Sequence, residues 1–159
     1  MERKLLAIVA ADMVGFSRLV ENNEIEILKR QKKHFIEIIK PTVDKYTGRI
    51  IKTTGDGFLA TFESSMSAVE SSLIIQSKIN ELESMFNNDK RIWYRFGINI
   101  GDVVIDEDDI FGNSVNIASR LESIADPGGI SITHDIFKNI KNLEIDEIEY
   151  IGDQYLKNI

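Results

Sequence analysis

The chain has 159 residues, 43% of them hydrophobic and 28% charged, with a formal net charge of −7 and no cysteine. That length suits a single domain able to bury a core without disulfide staples, and the missing cysteines exclude zinc-finger, thiol-nucleophile and redox-motif chemistry. The two histidines, His34 and His134, lie too far apart in sequence for a multi-histidine metal site, and the acidic balance opposes a phosphate-backbone binder, so no nucleic-acid partner is expected.

The first segment, Met1-Glu2-Arg3-Lys4 followed by Leu5 to Ala11, imitates a short signal peptide, but its apolar run is minimal and meets Asp12. A strand over 4–11, covered on both faces and ending in a carboxylate, explains it better. No apolar run approaches the roughly 20 residues of a membrane helix, so this segment is expected to make no membrane contact. After the turn-like segment Asp12 to Ser17, a long helix is predicted over 22–46, with Leu28, Phe35, Ile39, Val43 and Tyr46 at helical spacing. Pro41 should kink or split it, and Gly48 should end it.

Residues 49–54 and 58–62 read as two strands around Gly55-Asp56-Gly57, since an Asp-Gly pair between apolar runs signals a hairpin. A second helix is predicted over 67–86. A long strand follows over 91–100, closed by Gly101-Asp102, with 103–105 as a short partner and 106–109 as an acidic loop. A helix over 114–125 ends at Asp126-Pro127-Gly128-Gly129. A strand over 130–132, a short helix over 134–139 and an edge strand over 144–151 complete the chain. The order predicts an α+β fold, a ferredoxin-like βαββαβ sheet with helices on one face plus extra C-terminal elements. The other face should stay open for a ligand or a second copy. Linkers and repeats are absent, so 1–159 reads as one domain, excised from a longer protein.

Asp12 closes the first strand and Asp56 sits at the hairpin tip. Taken singly, the first reads as a strand-end cap and the second as turn chemistry. Together, on neighbouring strand ends, they suit a divalent ion that keeps positions for substrate phosphates. Past Asp12 the chain turns through Gly15, Phe16 and Ser17 into a helix, where free amides can hold a phosphate chain. Lys52 lies four residues before Asp56. Asn116 and Arg120 share a helix face, off a predicted buried stripe of Ile117, Leu121 and Ile124.

Four stretches in order carry a resemblance: Ala11 to Ser17, Lys52 to Gly57, Phe96 to Gly101, and Asp109 to Arg120. With them the chain resembles the catalytic domain of the class III nucleotidyl cyclases, most like bacterial adenylate cyclases with a short segment between Gly101 and Asp109. The resemblance implies that Asp12 and Asp56 bind two Mg²⁺ or Mn²⁺ ions. It implies that Lys52 and Asp109 read the purine, that Asn116 and Arg120 act on ribose and phosphate in the transition state, and that a late lysine, Lys157, touches the triphosphate. It also implies a homodimer with two composite sites, in which Asp12 and Asp56 of one copy work with Lys52, Asp109, Asn116 and Arg120 of the other.

The expected reaction is attack of the ribose 3′-hydroxyl on the α-phosphorus with pyrophosphate leaving, assisted by two metals and by Arg120 acting on growing phosphoryl charge. Lys52 only donates and ionised Asp109 only accepts, which fits adenine and opposes guanine, so ATP is the expected substrate. A chain at −7 repels a nucleotide triphosphate, so strict metal dependence is expected. The alternatives are a guanylate or pyrimidine nucleotide cyclase, or a catalytically silent dimerising nucleotide-binding module. A cytoplasmic location is expected, with a parent protein that is either soluble or membrane-attached.

Overall fold

The structure, a computed structural model, describes residues 1–140. The predicted strand over 144–151 and Lys157 lie outside the described residues. β1 (Glu2–Met13) is followed by α1 (Phe16–His34), a π-helical turn (Phe35–Ile39) and α2 (Lys40–Lys45). Next come β2 (Arg49–Thr53), β3 (Gly57–Phe62), α3 (Ser65–Glu83), β4 (Tyr94–Asp106), β5 (Asp109–Phe111), α4 (Asn113–Ile124), β6 (Ile130–Ile132) and α5 (His134–Lys138).

The strand order is β2-β3-β1-β4-β5, with β6 joining β4 in parallel and every other pairing antiparallel. This is the ferredoxin-like α+β arrangement expected from the sequence, and β1 sits at its centre. The Leu5 to Ala11 run is therefore a strand, paired with β3 on one side and β4 on the other.

Alternation along β1 divides the core in two. Ala7, Val9, Ala11 and Met13 pack with Leu19, Ile27, Val43, Val69, Ile75 and Ile79 beneath α1, α2 and α3. Leu6, Ile8 and Ala10 point to the second face and pack with Leu59, Val103, Ile110 and Ala118. Ala118 belongs to α4, so the second face is not fully open: the crossover from β4 to β6 lays α4 across part of it.

Three predicted boundaries need correction. α1 starts at Phe16 rather than 22, with non-helical backbone at Asn23 (φ −162°, ψ 73°) interrupting it. The split expected at Pro41 falls just upstream, as the π-helical turn at Phe35–Ile39. Proline has no N–H to return to the carbonyl four residues back, and a wider turn accommodates that loss. The segment 103–105 is not a separate partner. It continues β4, because Val103, Val104 and Ile105 pair with Lys4, Arg3 and Glu2.

The ends of α1 and α3 and the start of β4 are tied by a buried polar network. Glu83 and His34 are each 1% exposed. The Glu83 carboxylate accepts from Arg30 and from the Ile92 backbone N–H at 2.7 Å, and lies 3.1 Å from His34 Nε2. His34 Nδ1 lies 3.2 Å from the Tyr94 hydroxyl. A neutral imidazole satisfies both contacts by donating from Nε2 and accepting at Nδ1. Burial alone would raise the Glu83 carboxyl, but the His34, Arg30 and Ile92 hydrogen bonds outweigh it and hold the group below the usual carboxylate range.

Candidate active site

Asp12 and Asp56 are brought together by register. Asp12 pairs with Gly57 across β1 and β3, and the Met13 N–H donates to the Asp56 carbonyl at 2.7 Å. The hairpin tip is Gly55-Asp56, closed by Thr54 N–H to the Gly57 carbonyl at 2.9 Å. Gln31 of α1 steadies it by donating from Nε2 to the Gly55 carbonyl at 2.9 Å.

The two carboxylates are close enough to perturb each other. Burial, then a hydrogen bond to Asp56 and the negative charges of Glu122 and Asp56, push the Asp12 carboxyl up to about 8. Its Oδ1 is buried without a hydrogen-bond partner. An orphaned carboxylate oxygen beside a second carboxylate is the donor set a divalent cation satisfies, so the residues present fit Mg²⁺ or Mn²⁺. Among the described residues no group of three or more His, Asp or Glu side chains is arranged to hold a metal by itself. A bound ion would draw its remaining oxygens from phosphates and water, as Mg²⁺ does in nucleotide sites.

The turn beyond Asp12 leads through Gly15, in the left-handed region at φ 63° and ψ 36°, into α1. No side chain caps this helix and no acidic residue lies in its first turn. The amides around Phe16 and Ser17 thus begin a helix whose positive end has no counter-charge from its own first turn. A Cβ on Gly15 would lie 3.8 Å from the Arg18 guanidinium, which places a cation over the same turn.

Lys52 and Asp109 meet within one chain. Lys52 Nζ lies 3.2 Å from the Asp109 carboxylate. β2 carries a bulge between Ile50 and Lys52, which lets Ile51 join the second-face cluster while Lys52 pairs opposite Leu59 of the same cluster. Asp109 is not a loop residue as expected but opens β5, paired with Asp106. The Ile110 N–H, at 2.8 Å, and then Lys52 hold the Asp109 carboxyl below the usual range.

Asn116 is exposed and Arg120 half-buried, both on α4. α4 is seated by the Phe96 to Gly101 stretch of β4. Phe96, Ile98 and Ile100 point into the helical layer. Gly97, Asn99 and Gly101 point the other way. A Cβ on Gly97 would sit 2.3 Å from the Ala118 carbonyl and 2.4 Å from the Glu122 nitrogen, and one on Gly101 would sit 2.1 Å from Ser114 Oγ. Asn99 donates from Nδ2 to the Ser114 carbonyl at 3.0 Å.

The buried stripe of α4 corrects the prediction. It runs through Ala118, Leu121 and Glu122, while Ile124 is 37% exposed and Ile117 is half-buried. Glu122 takes a buried place on α4 that sequence reasoning missed. Its spacing of four from Ala118 was readable, but a glutamate at a core position had no visible reason without Gly97 and Asp12 beside it.

Residues 2–158 match the family described as adenylate and guanylate cyclase catalytic domain, and the chain belongs to that family. A protein of Rhizobium meliloti named putative adenylate cyclase 3 is 36% identical over 159 residues, covering 99% of this chain and 27% of its own length. An adenylate cyclase of Streptomyces coelicolor is 36% identical over 120 residues, covering 76% of this chain and 30% of its own length. The chain therefore spans between a quarter and a third of these relatives. Among solved structures, an adenylate/guanylate cyclase/hydrolase from Silicibacter pomeroyi superposes with a TM-score of 0.91 at 44% identity, covering 99% of this chain and 92% of that one. Among the described residues no helix is long and apolar enough to cross a membrane.

Proposed function

We propose that this cyclase domain converts ATP to 3′,5′-cyclic AMP and pyrophosphate at two sites shared across a homodimer. The observation that carries the choice of base is the Lys52–Asp109 ion pair. A side chain that only donates lies 3.2 Å from one that only accepts. Lys52 would donate to ring N1 of adenine, and Asp109 would accept from its exocyclic amine. Guanine presents the reverse pattern on that edge. The relatives named adenylate cyclases support the same choice.

Divalent ions held by Asp12 and Asp56 would supply the positive charge that acidifies the 3′-hydroxyl and stabilises the departing pyrophosphate. The amides of Gly15, Phe16 and Ser17 would bind the phosphate chain at the start of α1. Asn116 would orient the ribose, and Arg120 would donate to oxygens that gain charge as the 3′-oxygen bonds to the α-phosphorus and the bond to the β-phosphate oxygen breaks. The 3′-hydroxyl proton leaves to water. Asp12 and Asp56 of one copy would act with Lys52, Asp109, Asn116 and Arg120 of the other. Lys157 is proposed to reach the triphosphate.

The test is incubation of pure protein with each nucleoside triphosphate and Mg²⁺ or Mn²⁺, with product identification across a range of protein concentrations. Cyclic AMP as the main product, no turnover in excess chelator, and specific activity that rises with protein concentration are expected. Cyclic GMP as the main product would overturn the base assignment. Lys52→Glu reverses the hydrogen-bonding sense of one partner and should lower ATP turnover about tenfold or more, since one polar mismatch costs about 1–3 kcal/mol. An unchanged nucleotide preference in that variant would refute the role given to Lys52.

A further inference from the structure

α4 does more than present Asn116 and Arg120. Its backbone rests on Gly97, where the missing side chain lets Glu122 come down onto the sheet. Gly97 lies two residues from Arg95 on the same face of β4, and Arg95 pairs with Asp12 across β1. Glu122 is only 9% exposed, and its backbone nitrogen lies over Gly97 on the sheet face that carries Asp12 and Arg95, so the Glu122 and Asp12 carboxyls perturb each other, with burial the first cause that raises both. Arg95 Nε and Asp12 Oδ1 are both buried without a hydrogen-bond partner.

A glutamate in the buried stripe of a helix, facing another carboxylate, is costly unless something cationic repays it. Arg95 offsets only part of that cost. Asp12, Asp56 and Glu122 set three carboxylates against one guanidinium, which leaves two negative charges when all are ionised. A divalent ion carries the matching charge. A leucine or methionine at 122 would fill the same stripe without the cost of burying a carboxyl, so core packing does not explain the acid.

We propose that Glu122 is a positioning residue for Asp12: it braces that carboxylate from α4 and supplies the additional negative charge that draws a divalent cation to the Asp12–Asp56 pair. The inference rests on reading that pair as the metal site. It also ties metal capture to the helix that carries Asn116 and Arg120, since one rigid element holds all three side chains.

The experiment is a Mn²⁺ titration of the nucleotide-free full chain, following free Mn²⁺ by electron paramagnetic resonance, together with thermal melts in chelator. The wild type and Asp12→Asn test the underlying reading: binding that Asp12→Asn abolishes supports it, and binding that Asp12→Asn leaves intact overturns it along with the role of Glu122. Glu122→Gln then tests the inference alone. It should weaken Mn²⁺ binding by about 10- to 100-fold, the usual effect of losing a partner behind a metal ligand, and raise the metal-free melting temperature. Glu122→Asp, which keeps the charge, should recover part of the affinity. Arg95→Gln removes the counter-charge and should tighten Mn²⁺ binding, so the sign is read even if Glu122→Gln does not fold. Wild-type affinity in folded Glu122→Gln, or weaker binding in Arg95→Gln, would overturn the proposal.

Discussion

Arg120 is half-buried on α4 and has no role in either core cluster. Its loss should therefore leave the fold intact and, in the role proposed for it, act on chemistry. A donor aimed at charge that develops only as the reaction proceeds contributes to kcat rather than to ground-state binding. Arg120→Ala is expected to lower kcat by about 100-fold or more, the size of effect seen when a preorganised donor to a transition-state oxyanion is removed, with KM for ATP little changed. Steady-state kinetics check this. A rise in KM alone, with kcat preserved, would mean that Arg120 binds ground-state substrate instead. Asp12 and Asp56 stand out in the sequence as carboxylates on neighbouring strand ends, and the β1–β3 register brings them together. Lys52, Asp109, Asn116 and Arg120 read locally as ordinary strand, loop and helix-surface residues, and only the family resemblance singles them out for the roles proposed above. Glu122 was not legible. Its meaning depends on what lies beneath α4, and that is a long-range contact which local spacing does not encode.

At the scale of elements, Gly97 decides how closely α4 approaches β4. A methyl group at this position would meet backbone atoms of Ala118 and Glu122 at 2.3 and 2.4 Å, and a helix backbone cannot rotate aside as a side chain can. Gly97→Ala should cost about 1–3 kcal/mol, the range for overpacking a tight contact, and should lower activity further by displacing Asn116 and Arg120. Chemical denaturation and turnover measured on the same preparation would separate the two effects. A second prediction concerns the network joining α1, α3 and β4. Glu83 is held below its ordinary range, so its contribution is present above about pH 4.5, the unfolded carboxyl range, and is lost as pH falls through the lower folded value. Glu83→Gln should destabilise the protein by about 3–5 kcal/mol near neutral pH, because it leaves Arg30 facing an incomplete partner. The gap to wild type should narrow below pH 4. Thermal melts between pH 7 and 3 read both effects. A gap that stays constant across that range would show that the Glu83 charge is not what stabilises the network. Element boundaries were less legible than element order. Pro41 foretold a break, but whether the chain answers with a kink or a π-helical turn depends on how Ile38, Ile39 and Val43 meet the sheet. The merger of 94–106 into one strand was hidden because Gly101-Asp102 reads locally as a turn, whereas pairing with Leu6 and Leu5 carries the strand through.

For the whole molecule, the sheet divides labour between its faces. One face is closed by α1, α2 and α3 and holds the main core. The other carries α4 and the second cluster, which Lys52 and Asp109 adjoin, and Asp12 pairs with Gly57 at the end of the same central strand. A chain of net charge −7 is poorly suited to act on a triphosphate without bound cations. If each site draws Asp12 and Asp56 from one copy and Arg120 from the other, two differently broken chains should repair each other. Asp12→Asn and Arg120→Ala are each expected to be nearly inactive as homodimers. Mixed in equal amounts and allowed to exchange, they form heterodimers with one intact site and one doubly damaged site. Random pairing makes about half of all dimers mixed, each with one working site of two, so activity should recover to about a quarter of wild type in a symmetric two-site dimer. The measurement is cyclic AMP production by the mixture against each variant alone at the same total concentration. Recovery of that size requires residues from two chains in one site. Activity in the mixture equal to the mean of the two variants would place Asp12 and Arg120 in the same chain's site and refute the shared arrangement.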